Sequence, residues 1–416
     1  MRRSSLFFLF TKALVIPAVA LTLTAGAWAA PKYKVLYSFG SGDDASGPYA
    51  PVVMDVSGNL YGTAGGGTYH LGTVFQLTPG SHGWTESVLY SFGGTKDDGV
   101  GPQAGVTLDK LGNLYGTTQW GGVYDRGTVF ELTPGSSGWT ESVLYSFGAN
   151  NGDGIVPYAG VVLDAAGDLY GTTVGGGASE GGTVYELSPG SGGWNETLLY
   201  GFGGKNNDGY CPYAGLIWDN AGDLYGTTEM GGTHGDGAVY ELRHTPGGAW
   251  KEHILYNFGS AKGDGAFPWT GSLVFDTSGN LYGVTPVGGT NICFSEYDCG
   301  TVYELSPGRN GRWKERVLYN FSQGAGGNGP VGVVMDQAGN LYGATFYGGS
   351  ACGCGVVFKL SPRAHGQWKY TVLHRFSGTD GGAPEAGVIL DGKGNLYGTT
   401  LGGGQYGGGV VFELTP

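Results

Sequence analysis

The sequence predicts an all-β protein: a seven-bladed β-propeller of four-stranded blades, closed by the N-terminal strand completing the last blade. Three observations carry this expectation. One motif recurs seven times, each copy holds four strand-like segments, and the two ends of the chain supply complementary fractions of a copy. Asn59-Leu60-Tyr61-Gly62 recurs with its tyrosine at positions 115, 170, 225, 282, 342 and 397, at intervals of 54, 55, 55, 57, 60 and 55 residues. Repetition on this scale marks a solenoid, a propeller or an array.

In the second full copy the four segments are Gly105-Val106-Thr107-Leu108-Asp109, Asn113-Leu114-Tyr115-Gly116-Thr117-Thr118, Thr128-Val129-Phe130-Glu131-Leu132 and Trp139-Thr140-Glu141-Ser142-Val143-Leu144-Tyr145. They are rich in β-branched and aromatic residues, which suit a pleated, half-buried surface. Asp-Lys-Leu-Gly-Asn separates the first two and Thr-Pro-Gly-Ser-Ser-Gly the last two, both turn-forming. Four strands per repeat is the pattern of a propeller blade. The chain finishes on Phe412-Glu413-Leu414-Thr415-Pro416, a third strand, while Lys32-Tyr33-Lys34-Val35-Leu36-Tyr37 matches a fourth. Residues 32–39 are therefore expected to complete the seventh blade and hide its open edge.

Composition agrees. Glycine is 87 of 416 residues, about three times ordinary usage, yet hydrophobic residues make up 40% and aromatics 13%. That apolar content excludes a disordered chain, so the glycine serves turns. The net charge of −13 argues against nucleic-acid partners and anionic membranes, which need basic patches.

Residues 1–29 read as a signal peptide: Arg2, Arg3 and Lys12 precede an apolar run, and Ala27-Trp28-Ala29 fits a small-x-small cleavage step. Residues 30–416 then form a single propeller, with no later apolar run long enough to span a membrane. A monomer is expected.

The repeat unit Val88-Leu89-Tyr90-Ser91-Phe92-Gly93-Gly94, Asp98-Gly99, Pro102-Gln103-Ala104-Gly105-Val106, Asp109, Asn113-Leu114-Tyr115-Gly116-Thr117-Thr118 and Gly127-Thr128-Val129-Phe130-Glu131-Leu132-Thr133-Pro134 resembles the GloVer-type tandem repeat of bacterial choice-of-anchor exported proteins. The resemblance covers the whole mature chain and implies export and a propeller-like fold. It implies no catalytic residues. Such proteins often carry a C-terminal sorting segment, whereas this chain stops at Pro416. Secretion or periplasmic residence is expected over surface anchoring. By analogy with other secreted propellers, the Gly-Val-x-x-Asp-x-x-Gly-Asn-Leu-Tyr segment supplies the strands nearest the axis.

Loops from strand four to the next strand one, and from strand two to strand three, share one face of a propeller. The first class repeats Asp-Gly, at Asp98, Asp153, Asp208, Asp264 and Asp380, with Asp43 and Asp44 in the first copy and Asn328 in the sixth. A ring of carboxylates at the channel mouth is one reading; turn shaping is the favoured one, because the feature repeats. The hairpin aspartates Asp55, Asp109, Asp164, Asp219, Asp276, Asp336 and Asp391, and the strand glutamates Glu131, Glu186, Glu241, Glu304 and Glu413, read as frame.

Ligand specificity belongs where copies differ. The residue after the loop proline varies: Tyr49, Gln103, Tyr158, Tyr213, Trp269, Val331, Glu385. The second loop class adds Trp120, Glu229, Phe346 and Tyr347. The candidate ligand-binding set is Trp120, Tyr158, Tyr213, Trp269, Phe346, Tyr347, Glu229 and Glu385, flat apolar faces with carboxyl groups that suit a sugar. The seven histidines lack metal-ligand spacing, and neither a nucleophile elbow nor a phosphate-cradling loop is present, so no metal, cofactor or catalytic set is assigned. Glu229 and Glu385 are the only pair considered for acid–base work. Cys293 and Cys299 bracket an enlarged loop and are expected to form a disulfide; the pairing of Cys211, Cys352 and Cys354 stays open.

The resulting expectation is an exported, non-catalytic binding or scaffold propeller contacting glycan or another exported protein through these loops. A secreted carbohydrate-active hydrolase or lyase, and a purely structural surface protein, are the alternatives.

Overall fold

The computed structural model describes residues 30–40, 44–245, 247–294 and 297–416, leaving out the side chains of 294, 297, 298 and 310. The signal segment and Asp43 lie outside the described residues. Among the described residues, seven antiparallel sheets of four or more strands follow one another along the chain, with five two-stranded ladders beside them. Blade 2 is typical: Thr107–Leu108, Leu114–Thr118, Thr128–Gly135 and Gly138–Ser146 run in that order from the first strand to the fourth. Among the described residues the helical elements are two single-turn 3-10 segments, Arg309–Gly311 and Ala364–Gly366.

The ring closes as expected. Lys32–Ser38 pairs antiparallel with Val410–Thr415, from Lys32 opposite Thr415 to Ser38 opposite Val410. It becomes the fourth strand of a sheet whose other three are Ile389–Leu390, Leu396–Thr400 and Val410–Thr415.

The hydrophobic core is divided among the seams between blades. One cluster joins Tyr61, Val74 and Phe92 of blade 1 to Val106, Leu114, Phe130 and Leu132 of blade 2. Equivalent clusters occupy the other six seams. In each the phenylalanine after strand four meets the third-strand ring of the next blade edge-on, as Phe92 does Phe130 at 5.0 Å, a favoured aromatic geometry. A blade therefore buries its faces only against its neighbours, as repeat architectures do. The closing seam has the same construction: Phe39, fully buried, lies 5.0 Å from Phe75 across the junction of blades 7 and 1. Phe39→Ala is expected to cost about 3–5 kcal/mol of stability, read from urea denaturation. A smaller loss would mean that the closing seam bears little of the fold.

Candidate functional site

The mouth of the central channel is built by one device used in every blade. The residue before the loop proline lies in the left-handed region: Gly47, Gly101 and Gly329, but also Val156, Cys211, Phe267 and Ala383. Such a conformation strains a residue with a side chain, above all a β-branched one. Backbone hydrogen bonds hold it in place. Val156 N–H donates to Arg126 O in the preceding blade at 2.8 Å, and Val174 N–H of its own blade donates to Val156 O at 3.0 Å. The proline then packs on the glycine that precedes the third strand of the preceding blade. A Cβ on Gly127, whose φ is +100°, would lie 2.4 Å from Cδ of Pro157. The residue after the proline is thereby delivered to the axis.

All seven residues at that position line one channel of about 950 Å³. Tyr158, Tyr213, Trp269 and Glu385 of the candidate set stand there, with Phe346 and Tyr347 on the same wall. Tyr158 and Tyr213 meet edge to face at 5.2 Å, and Phe346 and Tyr347 at 4.4 Å. Tyr49 and Gln103 line it as well, and much of the remaining lining is alanine, glycine, valine and leucine. At the waist, inner strands approach backbone to backbone: a Cβ on Gly105 would lie 2.6 Å from Pro51 O.

The remaining two candidates are not among the lining residues, although Glu229 lies close enough to Tyr213 to act on its hydroxyl. Trp120 is 41% exposed and pairs, through Trp120–Gly121, with Gly99–Val100 on the loop face. Glu229 sits by Cys211, whose carbonyl accepts its N–H at 2.9 Å. Burial raises the carboxyl pKa of Glu229 and of Glu385 above the usual range. The Tyr158 hydroxyl is pushed up by burial and then by Glu385 and Tyr49. The Tyr213 hydroxyl is pushed up by burial and then by Glu229.

The Asp-Gly loops shape turns. Asp98 is buried, and its carboxylate accepts from Gly93 N at 2.7 Å, Gly94 N at 3.0 Å, Gly99 N at 2.7 Å and the Tyr90 hydroxyl at 3.0 Å. Asp153, Asp208 and Asp264 are held in the same way. Hairpin aspartates cap their own turns, as Asp109 does by accepting from Leu111 N and Asn113 N at 2.8 Å. The strand glutamates receive the repeat tyrosines, Tyr115 donating to Glu131 at 2.9 Å. Asp219, Asp223 and Glu241 bring carboxylate oxygens within 4.8 Å of one another, but the Arg243 guanidinium, 2.8 Å from Glu241, already supplies the cation there.

Cys293 and Cys299 form the expected disulfide, both buried, and Cys352 pairs with Cys354. Cys211 is a free thiol, its pKa raised by burial and by Glu229.

One set of residues escaped the sequence reading: the fourth-strand glutamates Glu86, Glu141, Glu196, Glu252 and Glu315. Their signal is a Trp-x-Glu step in five of seven repeats, replaced by Trp368-Lys369-Tyr370 in blade 6 and by Tyr33 in blade 7. On an amphipathic outer strand it reads as a solvated face.

The sequence model of the Gloeobacter/Verrucomicrobia repeat matches residues 22–219, 63–295, 194–366 and 293–416. The chain belongs to this repeat family. No curated protein matches it. Among solved structures, the family member is similar to the extracellular domain of a protein assigned as a one-component system from B. thetaiotaomicron. The TM-score there is 0.53 at 11% identity, over 91% of this chain and 39% of that one. This chain thus spans about two fifths of that protein's length, and the likeness shows the fold alone. A gluconolactonase of Xanthomonas campestris gives a TM-score of 0.38 at 16% identity, over 73% of this chain and 82% of that one. A Thermus thermophilus protein assigned as a glucose dehydrogenase gives 0.42 at 16% identity, over 93% of this chain and all of the other. Among the described residues, no helix is long and apolar enough to cross a membrane.

The mouth-building device is open to a direct test. Gly127→Val places a β-branched side chain at positive φ against Pro157, and is expected to cost about 2–4 kcal/mol in chemical denaturation. An unchanged midpoint would mean that the proline does not seat on this glycine.

Proposed function

We propose that this repeat protein is an exported binding propeller that takes carbohydrate at the mouth of its central channel. The observation that carries the reading is the convergence of Tyr49, Tyr158, Tyr213, Trp269, Phe346 and Tyr347 from five blades onto one channel, with Gln103 and Glu385 beside them. Rings offer flat apolar faces to a sugar, and an amide and a carboxyl group take its hydroxyls. The channel volume falls within the range of small-ligand sites. Export rests on the basic and apolar segment at 1–29, with the propeller starting at residue 30.

The exposed apolar residues favour this reading over a purely structural surface protein. Tyr69, Trp120, Tyr124, Met230, Tyr347 and Tyr406 project from loops of the mouth face, against Val56 and Leu111 on the hairpin face. A hydrolase or lyase working through Glu229 and Glu385 is favoured less, because Glu229 is not among the channel-lining residues. The acidic surface also speaks against nucleic acid.

Screening the purified protein against a glycan array, followed by titration calorimetry on the best oligosaccharide, tests the proposal. Trp269→Ala and Tyr158→Ala are expected to weaken binding at least about tenfold, and Trp120→Ala by less than about twofold. Absence of glycan binding, or equal affinity in all three variants, would refute the channel as a sugar site. Capture of an exported protein in the same screen would favour the scaffold role instead. N-terminal sequencing of the exported protein is expected to begin at Ala30.

A further inference from the structure

Five seams of the ring bring two acidic side chains together. Glu86 of blade 1 faces Asp44, Glu141 of blade 2 faces Asp98, Glu196 of blade 3 faces Asp153, Glu252 of blade 4 faces Asp208 and Glu315 of blade 5 faces Asp264. In each pair the aspartate belongs to the loop entering the blade and the glutamate to that blade's fourth strand. The contact is closest to view at blade 4, where the Tyr200 hydroxyl lies 3.0 Å from Asp208 Oδ1 and 2.9 Å from Glu252 Oε2. We infer that the glutamate at each of these five seams holds a proton beside the facing aspartate, and that proton uptake in mild acid tightens the ring.

The roles within each pair are unequal. Asp98, Asp153, Asp208 and Asp264 accept several backbone N–H groups and a tyrosine hydroxyl apiece. Glu141, Glu196 and Glu315 are less well supported: their Oε1 is buried without a hydrogen-bond partner among the described residues. Burial first, and the facing aspartate second, push Glu141, Glu196, Glu252 and Glu315 up to about 7 and Glu86 to about 8. Asp98, Asp153, Asp208 and Asp264 each accept at least two loop amides, although Oδ1 of Asp153 stays without a partner among the described residues.

The surrounding groups do not supply an alternative charge, except at one seam. Tyr90 faces Glu141, Tyr145 and Tyr185 face Glu196, and Tyr256 and Tyr303 face Glu315, all of them neutral phenols pushed up by burial and by these carboxylates. At Glu252 the phenols are Tyr200 and Tyr240, and Lys205 adds a positive charge 3.7 Å away. The two remaining seams lack the pair, because neither carries the glutamate. In blade 6 Gly326 stands four residues before the loop proline, where the other loops carry an aspartate, and Tyr370, in place of the glutamate, donates to Gly326 O; in blade 7 Asp380 is kept and lies 3.1 Å from His374, but Tyr33 replaces the glutamate and donates to Asp380 O at 2.6 Å. No glutamate is left without its aspartate in any blade.

The linkage has a definite sign. A carboxyl whose folded pKa is raised weakens the fold as pH climbs from its unfolded value, near 4.5, through its folded value, about 7 to 8, and then no further. Hairpin carboxylates act oppositely. Burial opposes ionisation of Asp55, Asp276, Asp336 and Asp391, but hydrogen bonds from Asn59, Asn280, Asn340 and Asn395 outweigh it and lower their pKa, so their contribution is lost in strong acid, below about 3.8. Stability therefore peaks in mild acid.

The test follows the melting temperature from about pH 5 to about pH 8.5, in the wild type and in the triple variant Glu141→Gln, Glu196→Gln, Glu315→Gln, whose amides mimic the protonated acids. The wild-type melting temperature is expected to fall across this range, and the variant to lose about three fifths of that fall. A flat or rising wild-type profile, or a variant with the full wild-type fall, overturns the inference. Infrared spectra of the wild type at about pH 6 provide a reading independent of the variant's folding. The C=O stretch of protonated carboxylic acids is expected there and is expected to vanish by about pH 9; its absence at the lower pH would overturn the inference as well.

Discussion

Every blade depends on the pairing of Lys32–Ser38 with Val410–Thr415. A four-stranded sheet of this kind has no core of its own; its apolar faces are buried only where the next blade lies against them. In an open row the first and last faces would meet water, and the last sheet would end on an unpaired edge. Antiparallel pairing of the two chain ends removes that edge and converts the two terminal faces into one more buried seam, containing Leu36, Phe39, Phe75 and Val411.

Closure also sets what the axis can hold. The inner strands crowd so closely that glycine is required where one backbone meets the next, as at Gly105 against Pro51. This leaves the residue after the loop proline as the position free to vary at the mouth. The frame around it is held by strain offset elsewhere: Val156, Cys211, Phe267 and Ala383 keep a left-handed backbone because hydrogen bonds to two blades over-determine it. Recognition and scaffold are thus separated along a few residues of each repeat. Proline and its predecessor lock the blade to its neighbour, and the next side chain is presented to the ligand.

The same loops carry the acidic seams. An aspartate that must anchor a tight turn sits where the next blade brings its fourth strand, and in five blades that strand offers a glutamate. Two carboxyl groups in a poorly solvated place cannot both keep their charge without cost, so the less supported one holds the proton. The seam energetics thus respond to protons although the channel chemistry does not require it.

Much of this was legible in the sequence, because repetition multiplies a weak local signal sevenfold. Strand type, hairpin turns, blade number and the completing role of residues 32–39 follow from periodicity and turn chemistry alone. So does the placement of Tyr158, Tyr213, Trp269 and Glu385, since their position after an invariant proline is fixed by the frame. Trp120 and Glu229 share a loop class with Phe346 and Tyr347, yet only the latter two reach the channel. Trp120 opposite Val100 and Tyr347 opposite Asn328 hold the same place in the ladder, so neither spacing nor strand pairing encodes which of these side chains lines the channel. The disulfide between Cys352 and Cys354, the left-handed residues at the mouth and the facing of Glu141 with Asp98 likewise emerged only from the coordinates. Order along the chain determines which strands and turns form; contacts between blades depend on the angle at which neighbouring sheets pack, and that angle is a property of the closed ring rather than of any single repeat.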